Sequence, residues 1–233
     1  EPVQAWADPG SLRQLRDLLL QSERPFAIAG GGGWTPQAAQ ALQRFAENWQ
    51  LPVGNAFRFQ DTFDNHHLLY AGDVGISINP KLAARIRNCD LLIAIGPRLG
   101  EMTTGGYSVP DAPRPRQKLV HIHGSAEELN RVYQADLAIF ATMNAAARSL
   151  EVLSAPPELP WSAWTADAHA DYVANLVPQA LPGAKTHSQT TVRRLRPFRR
   201  REVRTLRPPS TSDCTNHDAG ATFVYQGHFV RFE

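Results

Sequence analysis

The chain has 233 residues, 42% hydrophobic and 20% charged, the balance of an ordinary globular protein with room for one domain and additional material. It holds no run of about 18 apolar residues, which excludes a membrane-spanning helix, and its two cysteines, Cys89 and Cys214, are too few for a disulfide framework or a cysteine metal site. The formal net charge of +2 conceals a division: residues 1–183 carry 14 basic and 18 acidic side chains, residues 184–233 carry 10 and 4.

Taken in order, residues 11–20 place Leu12, Leu15, Leu18 and Leu19 on one helical face, with Ser11 as the expected N-cap. Phe26-Ala27-Ile28-Ala29 is a short apolar strand ending in Gly30-Gly31-Gly32-Gly33. Thr35 and Pro36 then provide an N-cap and first helical position, and residues 37–49 continue as a helix with Ala38, Ala41, Leu42 and Phe45 inward. Leu51-Pro52-Val53 is the next strand expected, residues 56–78 read as irregular, and a helix is predicted from Pro80 to Asn88. Residues 90–96 form the clearest strand, apolar on both faces as a parallel strand covered by helices must be. A loop over 97–116 leads to a strand at 118–122 and a short helix from Ala126 to Val132. Residues 136–140 are the last strand and 143–153 the last helix of the unit. Pro156, Pro157 and Pro160 mark a linker. A further amphipathic helix runs from Trp161 to Leu176, with Trp161, Trp164, Ala168, Tyr172 and Leu176 on its inner side. Past Pro182 the regular pattern stops.

Strands alternating with helices imply an α/β fold, a doubly wound, Rossmann-like parallel sheet followed by an irregular C-terminal tail. Ligands on such sheets bind beyond the carboxyl ends of the strands. Those ends carry Gly30–Gly33, Asn55, Gly96–Arg98, His123–Ser125 and Ala141–Thr142.

The motifs RPFAIAGGGG (24–33), LPV (51–53), YAGDVG (70–75), NPKLAARIRNCDLLIAIGPRL (79–99) and KLVHIHGSAEELNRVYQADLAIFAT (118–142) resemble, in this order, the central domain of thiamine-diphosphate-dependent enzymes of the acetolactate synthase type. The resemblance covers roughly residues 10 to 155. It implies a central domain over 1–155 with a NAD/FAD-binding type of fold (DHS-like). Residues 156–183 would be a linker and helix toward a diphosphate-binding domain. It also implies a parent enzyme that uses thiamine diphosphate and Mg²⁺, transferring two-carbon units or decarboxylating 2-keto acids. Its partners would be an aminopyrimidine-binding and a diphosphate-binding domain, within a homo-oligomer. The activating glutamate of such enzymes belongs to the first domain and the Gly-Asp-Gly metal motif to the last, so no catalytic residue and no metal ligand is expected here. Gly72-Asp73-Val74 lacks the second glycine of that motif and lies inside the central domain.

The cofactor-binding candidates are Gly31, Gly32, Gly33, Gly96, Arg98, His123 and Ser125. Glycines let a backbone approach a phosphate and a helix N-terminus favours an anion, yet GxGxxG fails because its last position is Thr35; a tight strand-to-helix turn is the other reading. Arg98 follows the clearest strand and resembles an arginine that lies against FAD in flavin-containing relatives; a surface ion pair with Glu101, or contact with a neighbouring domain, competes with that reading. Flavin-binding relatives carry acids where this chain has His123 and Thr142. Loss of those acceptors for ribose hydroxyls argues against FAD, with ADP the other possible nucleotide. His121 and His123 share a strand face and His66-His67 lie in a loop, but no cysteine joins them to complete a zinc site. No GxSxG nucleophile elbow occurs, and Cys89 reads as helix-end packing.

The segment 191–207 contains eight arginines with only Phe198 interleaved. A basic arm for nucleic acid is one reading. The other, preferred, is a disordered or frame-damaged remnant of the diphosphate-binding domain over 184–233. The start has no Met, basic n-region or apolar h-region, so no signal peptide is expected; membrane association is not expected, and a cytoplasmic setting is. Two other functions compete with a central domain: a stand-alone module holding ADP, FAD or NAD, and a nucleic-acid-binding protein driven by the basic tail.

Overall fold

A computed structural model describes residues 3–177 together with the strands 222–225 and 228–231, the latter as backbone. The chain divides into two units, Glu1–Asn175 and Leu176–Glu233.

The first unit is built on six parallel strands: β1 (Pro25–Ala29), β2 (Val53–Ala56), β3 (Tyr70–Val74), β4 (Leu91–Ile95), β5 (Lys118–His123) and β6 (Leu137–Phe140). Their order across the sheet is β3-β2-β1-β4-β5-β6, with Ala27 opposite Val53 on one side and Ile93 on the other. The chain winds outward from β1 to β3, then returns to β4 beside β1 and winds the other way. This is the doubly wound arrangement expected from the sequence, with its switch point between β1 and β4.

Five helices accompany the sheet: α1 (Pro9–Leu20), α2 (Pro36–Asn48), α3 (Pro80–Asn88), α4 (Met143–Glu151) and α5 (Ser162–Asn175). Leu15, Leu42, Phe45, Val53, Ile93, Ile122 and Leu150 belong to one apolar cluster, which joins α1, α2 and α4 to one face. Phe26, Ile28, Leu82, Ile86, Leu92 and Leu119 form a second cluster beneath α3. Side chains of β1 and β4 alternate between the two clusters, so these strands are apolar throughout.

Several local expectations need correction. Helix α1 starts at Pro9, and its cap is Asp8 rather than Ser11; Asp8 Oδ2 accepts from the Ser11 amide at 2.9 Å. An Asp-Pro pair can cap and start a helix two residues before the apolar pattern shows it. Strand β2 lies two residues beyond the expected 51–53. Strand β3 lies inside the stretch read as irregular; Gly72, at φ +122°, and a register shift opposite Val53/Gly54 break its pattern. The helix expected over Ala126–Val132 is a single 3₁₀ turn, Ala126–Glu128, followed by Asn130 at φ +59°. Leu176 is exposed rather than inward.

Helix α5 lies at the amino ends of the strands, and its side chains, together with that of Trp161 just before it, supply donors to backbone carbonyls there. Trp164 Nε1 donates to Pro25 O (2.9 Å), Trp161 Nε1 to Trp49 O (2.9 Å), Thr165 Oγ1 to Gln50 O (2.7 Å), and His169 Nδ1 lies 2.9 Å from Tyr70 O. The Trp161 ring stacks on Trp49 at 6.5 Å, and Arg85 lies over Trp164 while pairing with Asp171 at 2.8 Å.

In the second unit Thr222–Tyr225 and His228–Arg231 form a two-stranded antiparallel hairpin, β7 and β8, within a tail read as irregular. The arginine run 191–207 lies outside the described residues.

Candidate functional site

The carboxyl ends of β1, β4 and β5 bring Gly31–Gly33, Gly96–Arg98 and His123–Ser125 to one edge of the sheet. At the switch point the glycine turn is closed on itself. Gly30 N donates to Ile95 O at 3.1 Å, Gly96 N donates to Ile122 O at 2.8 Å, and Trp34 Nε1 donates to Gly30 O at 2.8 Å. Gly31 (φ +78°) lies against the Gly96 carbonyl and Gly96 (φ +87°) against that of Gly30, with no space between for a Cβ. By contrast, Gly32 and Gly33 face open space.

The start of α2 is also occupied by protein. Thr35 Oγ1 accepts from Ala38 N at 3.2 Å, which bears out Thr35 as N-cap, and Asn144 Oδ1 accepts from both the Thr35 amide (3.0 Å) and its hydroxyl (3.1 Å). A side-chain oxygen thus sits where a phosphate oxygen would be received. Thr35→Ala is expected to cost about 1 kcal/mol, readable as a lowered urea midpoint, since it removes the cap and one bond to Asn144.

Arg98 pairs with Glu128 (Nε to Oε2, 3.0 Å) and not with Glu101, because the parallel register of β4 and β5 puts the loop after β5 beside the loop after β4. Glu128 also receives Arg131 at 2.8 Å. His123 Nδ1 accepts from the Ser125 amide at 3.0 Å, a local turn that uses both predicted residues. After β6, Thr142 Oγ1 donates to Gln4 Oε1 at 2.7 Å.

His121 is buried, its Nε2 3.1 Å from Pro97 O and its ring centroid 5.7 Å from that of His123. Burial lowers its pKa to about 4, although the Pro97 carbonyl pulls the other way. The folded value lies below the ordinary value of about 6.5, so the unfolded chain takes up the proton first. The stability held above pH 6.5 is therefore expected to fall as pH drops toward 4, by about 3 kcal/mol at roughly 1.4 kcal/mol per unit. Urea titrations at pH 7 and pH 4.5 check this; in His121→Gln, which keeps a donor to Pro97, the dependence on pH should flatten.

Asp73, of the rejected Gly-Asp-Val motif, has its carboxyl pKa raised by burial against a bond from Gln60 Nε2. His67 pairs with Glu47 at 3.0 Å. Among the described residues no group of three or more His, Cys, Asp or Glu could hold a metal ion. Cys89 is buried with Sγ 3.0 Å from Ile86 O, and burial pushes its thiol well above the usual range.

These residues do not fit a flavin dinucleotide. The ribose acceptor after β5 is an imidazole already bonded to its own turn, the one after β6 is a hydroxyl bonded to Gln4, and Asn144 holds the helix start. Beside this edge, however, is a cleft of about 600 Å³ lined by Phe57–Phe59, Arg98–Thr103, Tyr107, Glu128, Arg131 and Val132. Of the predicted residues only Arg98 reaches it. The rest of its lining went unrecognised in the sequence, where the signal available was Phe57-Arg58-Phe59 directly after a strand end.

Residues 12–150 match the family of the thiamine pyrophosphate enzyme, central domain. The chain is 31% identical over 137 residues to the acetolactate synthase large subunit of Parasynechococcus marenigrum, covering 58% of this chain and 22% of that protein. It is 32% identical over 133 residues to the probable acetolactate synthase large subunit of Methanocaldococcus jannaschii, covering 56% and 22%. To glyoxylate carboligase of Escherichia coli O157:H7 it is 33% identical over 150 residues, covering 63% and 25%. The matched segments thus span about a quarter or less of these relatives. With the family's central-domain model covering more than half of the chain on the sheet order described above, this chain belongs to the thiamine pyrophosphate enzyme family, as its central domain.

Proposed function

We propose that the chain spaces and orients the catalytic domains of a thiamine-diphosphate-dependent enzyme resembling acetolactate synthase. The parent would hold thiamine diphosphate and Mg²⁺ between an aminopyrimidine-binding and a diphosphate-binding domain, and would assemble as a homo-oligomer. The observation that carries this reading is the family match over 12–150 on a sheet whose switch-point edge is closed by its own side chains. An edge filled by Asn144, His123 and Thr142 suits a rigid spacer better than a nucleotide carrier. No helix among the described residues is long and apolar enough to cross a membrane.

The cofactor supplies the carbanion chemistry in such enzymes. This chain's contribution would be mechanical: a twisted sheet clamped at its carboxyl edge by the glycine turn and at its amino edge by α5. Calorimetry of the chain with thiamine diphosphate and Mg²⁺, beside an assay for pyruvate consumption, tests the assignment. Neither binding heat nor turnover is expected, and turnover by the chain alone would overturn it. Sequencing the flanking DNA provides the complementary test. Coding sequence for an aminopyrimidine-binding domain upstream and a Gly-Asp-Gly motif downstream is expected, and their absence would count against a parent enzyme.

A further inference from the structure

Asn55, on β2, holds the one buried side-chain polar atom without a hydrogen-bond partner among the described residues, its Oδ1. The residue is 0% exposed, so no solvent reaches that oxygen. Its Nδ2 donates to Gln60 O at 3.0 Å and to Phe63 O at 3.1 Å, which commits both amide protons to the crossover between β2 and β3. Turning the amide over would set an oxygen against those two carbonyls, so Oδ1 must face away from them. A buried acceptor left without a donor is costly, and native interiors rarely keep one. The donor has to come from the other side of Asn55.

The register of the sheet supplies a neighbour there. Asn55 lies directly opposite Asp73 of β3, beyond the shift at Val53/Gly54. Paired residues on adjacent strands share a face and stand about 5 Å apart, within reach of a hydrogen bond between side chains. Gln60 ties the two together: its carbonyl receives Asn55, and its Nε2 donates to Asp73 Oδ1. Asp73 Oδ2 takes part in no hydrogen bond among the described residues. Two neighbouring oxygens, Asn55 Oδ1 and Asp73 Oδ2, thus lack a partner, and one proton between them would satisfy both.

The surroundings favour that proton. Burial raises the Asp73 carboxyl above the usual range against the pull of Gln60, and no charged group offsets the shift. In the crossover Arg58, Asp61 and Asp64 are exposed, and His67 is turned to Glu47. On β3 the titratable neighbour is Tyr70, whose phenol is kept neutral by burial beside Tyr172 and Asp73. From α5, His169 is engaged by the Tyr70 carbonyl.

We infer that Asp73 carries a proton in the folded chain and donates it from Oδ2 to Asn55 Oδ1, forming a latch on the β2–β3 crossover that opens when the carboxyl ionises. Ionisation releases the proton to solvent and leaves two oxygens facing each other, one of them charged. The bond from Gln60 to Oδ1 persists in both states, so the change falls on the Asn55 side. The folded value lies above the unfolded one. The stability contributed by Asp73 is therefore full at low pH and lost as pH rises through the folded value, opposite in sign to that of His121. Neither Asn55 nor Asp73 lines the cleft, and the inference does not depend on the proposed function, because it is read on the chain by itself.

Carbon-13 NMR of the Asp73 carboxyl in the full chain tests it. The titration midpoint is expected above the ordinary value of about 3.9, and in Asn55→Ala, which removes the acceptor, it should move down. Asp73→Asn supplies a permanent donor to Asn55 and keeps an acceptor for Gln60. Its thermal midpoint at pH 7 is expected at least about 2 °C above that of the unsubstituted chain, with the gain shrinking as pH falls to 4. His121 titrates in both chains, so the difference isolates Asp73. A merely structural carboxylate predicts the reverse, since Asp73→Asn would weaken a charge-assisted bond from Gln60. A midpoint at or below about 3.9 would overturn the latch. So would an Asp73→Asn chain no more stable than the unsubstituted one at pH 7, or an unchanged Asp73 midpoint in Asn55→Ala. Should Asn55→Ala fail to fold, the other two measurements decide.

Discussion

A chain ended at Ala155 should lose at least about 5 kcal/mol of stability relative to one ended at Val177, most of what holds a domain of this size folded. The family match stops at residue 150, but the compact unit continues to Asn175. Truncation removes the buried Trp161, Ala168 and Tyr172 and uncovers Trp49, on which Trp161 stacks, and Tyr70, which Tyr172 meets edge to face. It also strips partners from the carbonyls of Pro25, Trp49, Gln50 and Tyr70 at the amino edge of the sheet. Replacing a buried tryptophan with alanine costs about 3–5 kcal/mol by itself, so Trp161→Ala in the full chain should reproduce much of the loss. Urea denaturation followed by tryptophan fluorescence and circular dichroism measures both. Equal midpoints for the 155 and 177 chains would show that α5 is only laid on the surface.

The fold was legible where burial imposes an uninterrupted apolar run or a clear helical stripe. β1 and β4 lie at the centre of the sheet and are apolar on both faces, and α2 and α3 combine caps, proline starts and inward stripes; all four emerged within one or two residues. β3 escaped because an edge strand with Gly72 and Asp73 need not be apolar throughout. The carboxyl-edge residues were also legible as a group, since the alternation of strands and helices fixes which loops share an edge. Their partners were not. Glu101 is three residues from Arg98 in sequence, yet Arg98 pairs with Glu128, thirty residues away, because only the β4–β5 register brings those loops together. The inner side of α5 was visible as a stripe from Trp161 to Tyr172. That its indoles and hydroxyl would serve strand carbonyls depends on where the helix docks, which no local pattern encodes. The cleft was hidden for the same reason, since its lining comes from three loops without periodicity.

Alanine substitutions through the glycine turn are expected to give a graded series that reads its packing directly. Gly31→Ala should be the most damaging, about 3–5 kcal/mol, at the upper end of single-substitution effects. Its φ of +78° disfavours any side chain by about 1–2 kcal/mol, and its Cβ would overlap the Gly96 carbonyl, far closer than van der Waals contact allows, against a backbone group that cannot swing aside. Gly96→Ala should cost a similar amount, because its Cβ would meet both the Gly30 carbonyl and Met143. Gly33→Ala shares the positive φ, +87°, but faces open space, so only the conformational part, about 1–2 kcal/mol, should remain. Gly32→Ala has neither the positive φ nor a neighbour within 4 Å, and should be neutral or stabilising by up to about 1 kcal/mol through the unfolded chain. Thermal and urea midpoints of the four variants make the comparison. The series separates two origins of a glycine run that sequence alone merges. If Gly31 and Gly96 seal the switch point against each other, damage must follow the contact and not the count of glycines. A uniform cost across all four positions would instead mean that the turn is held by conformation alone, with the seam between β1 and β4 free to open.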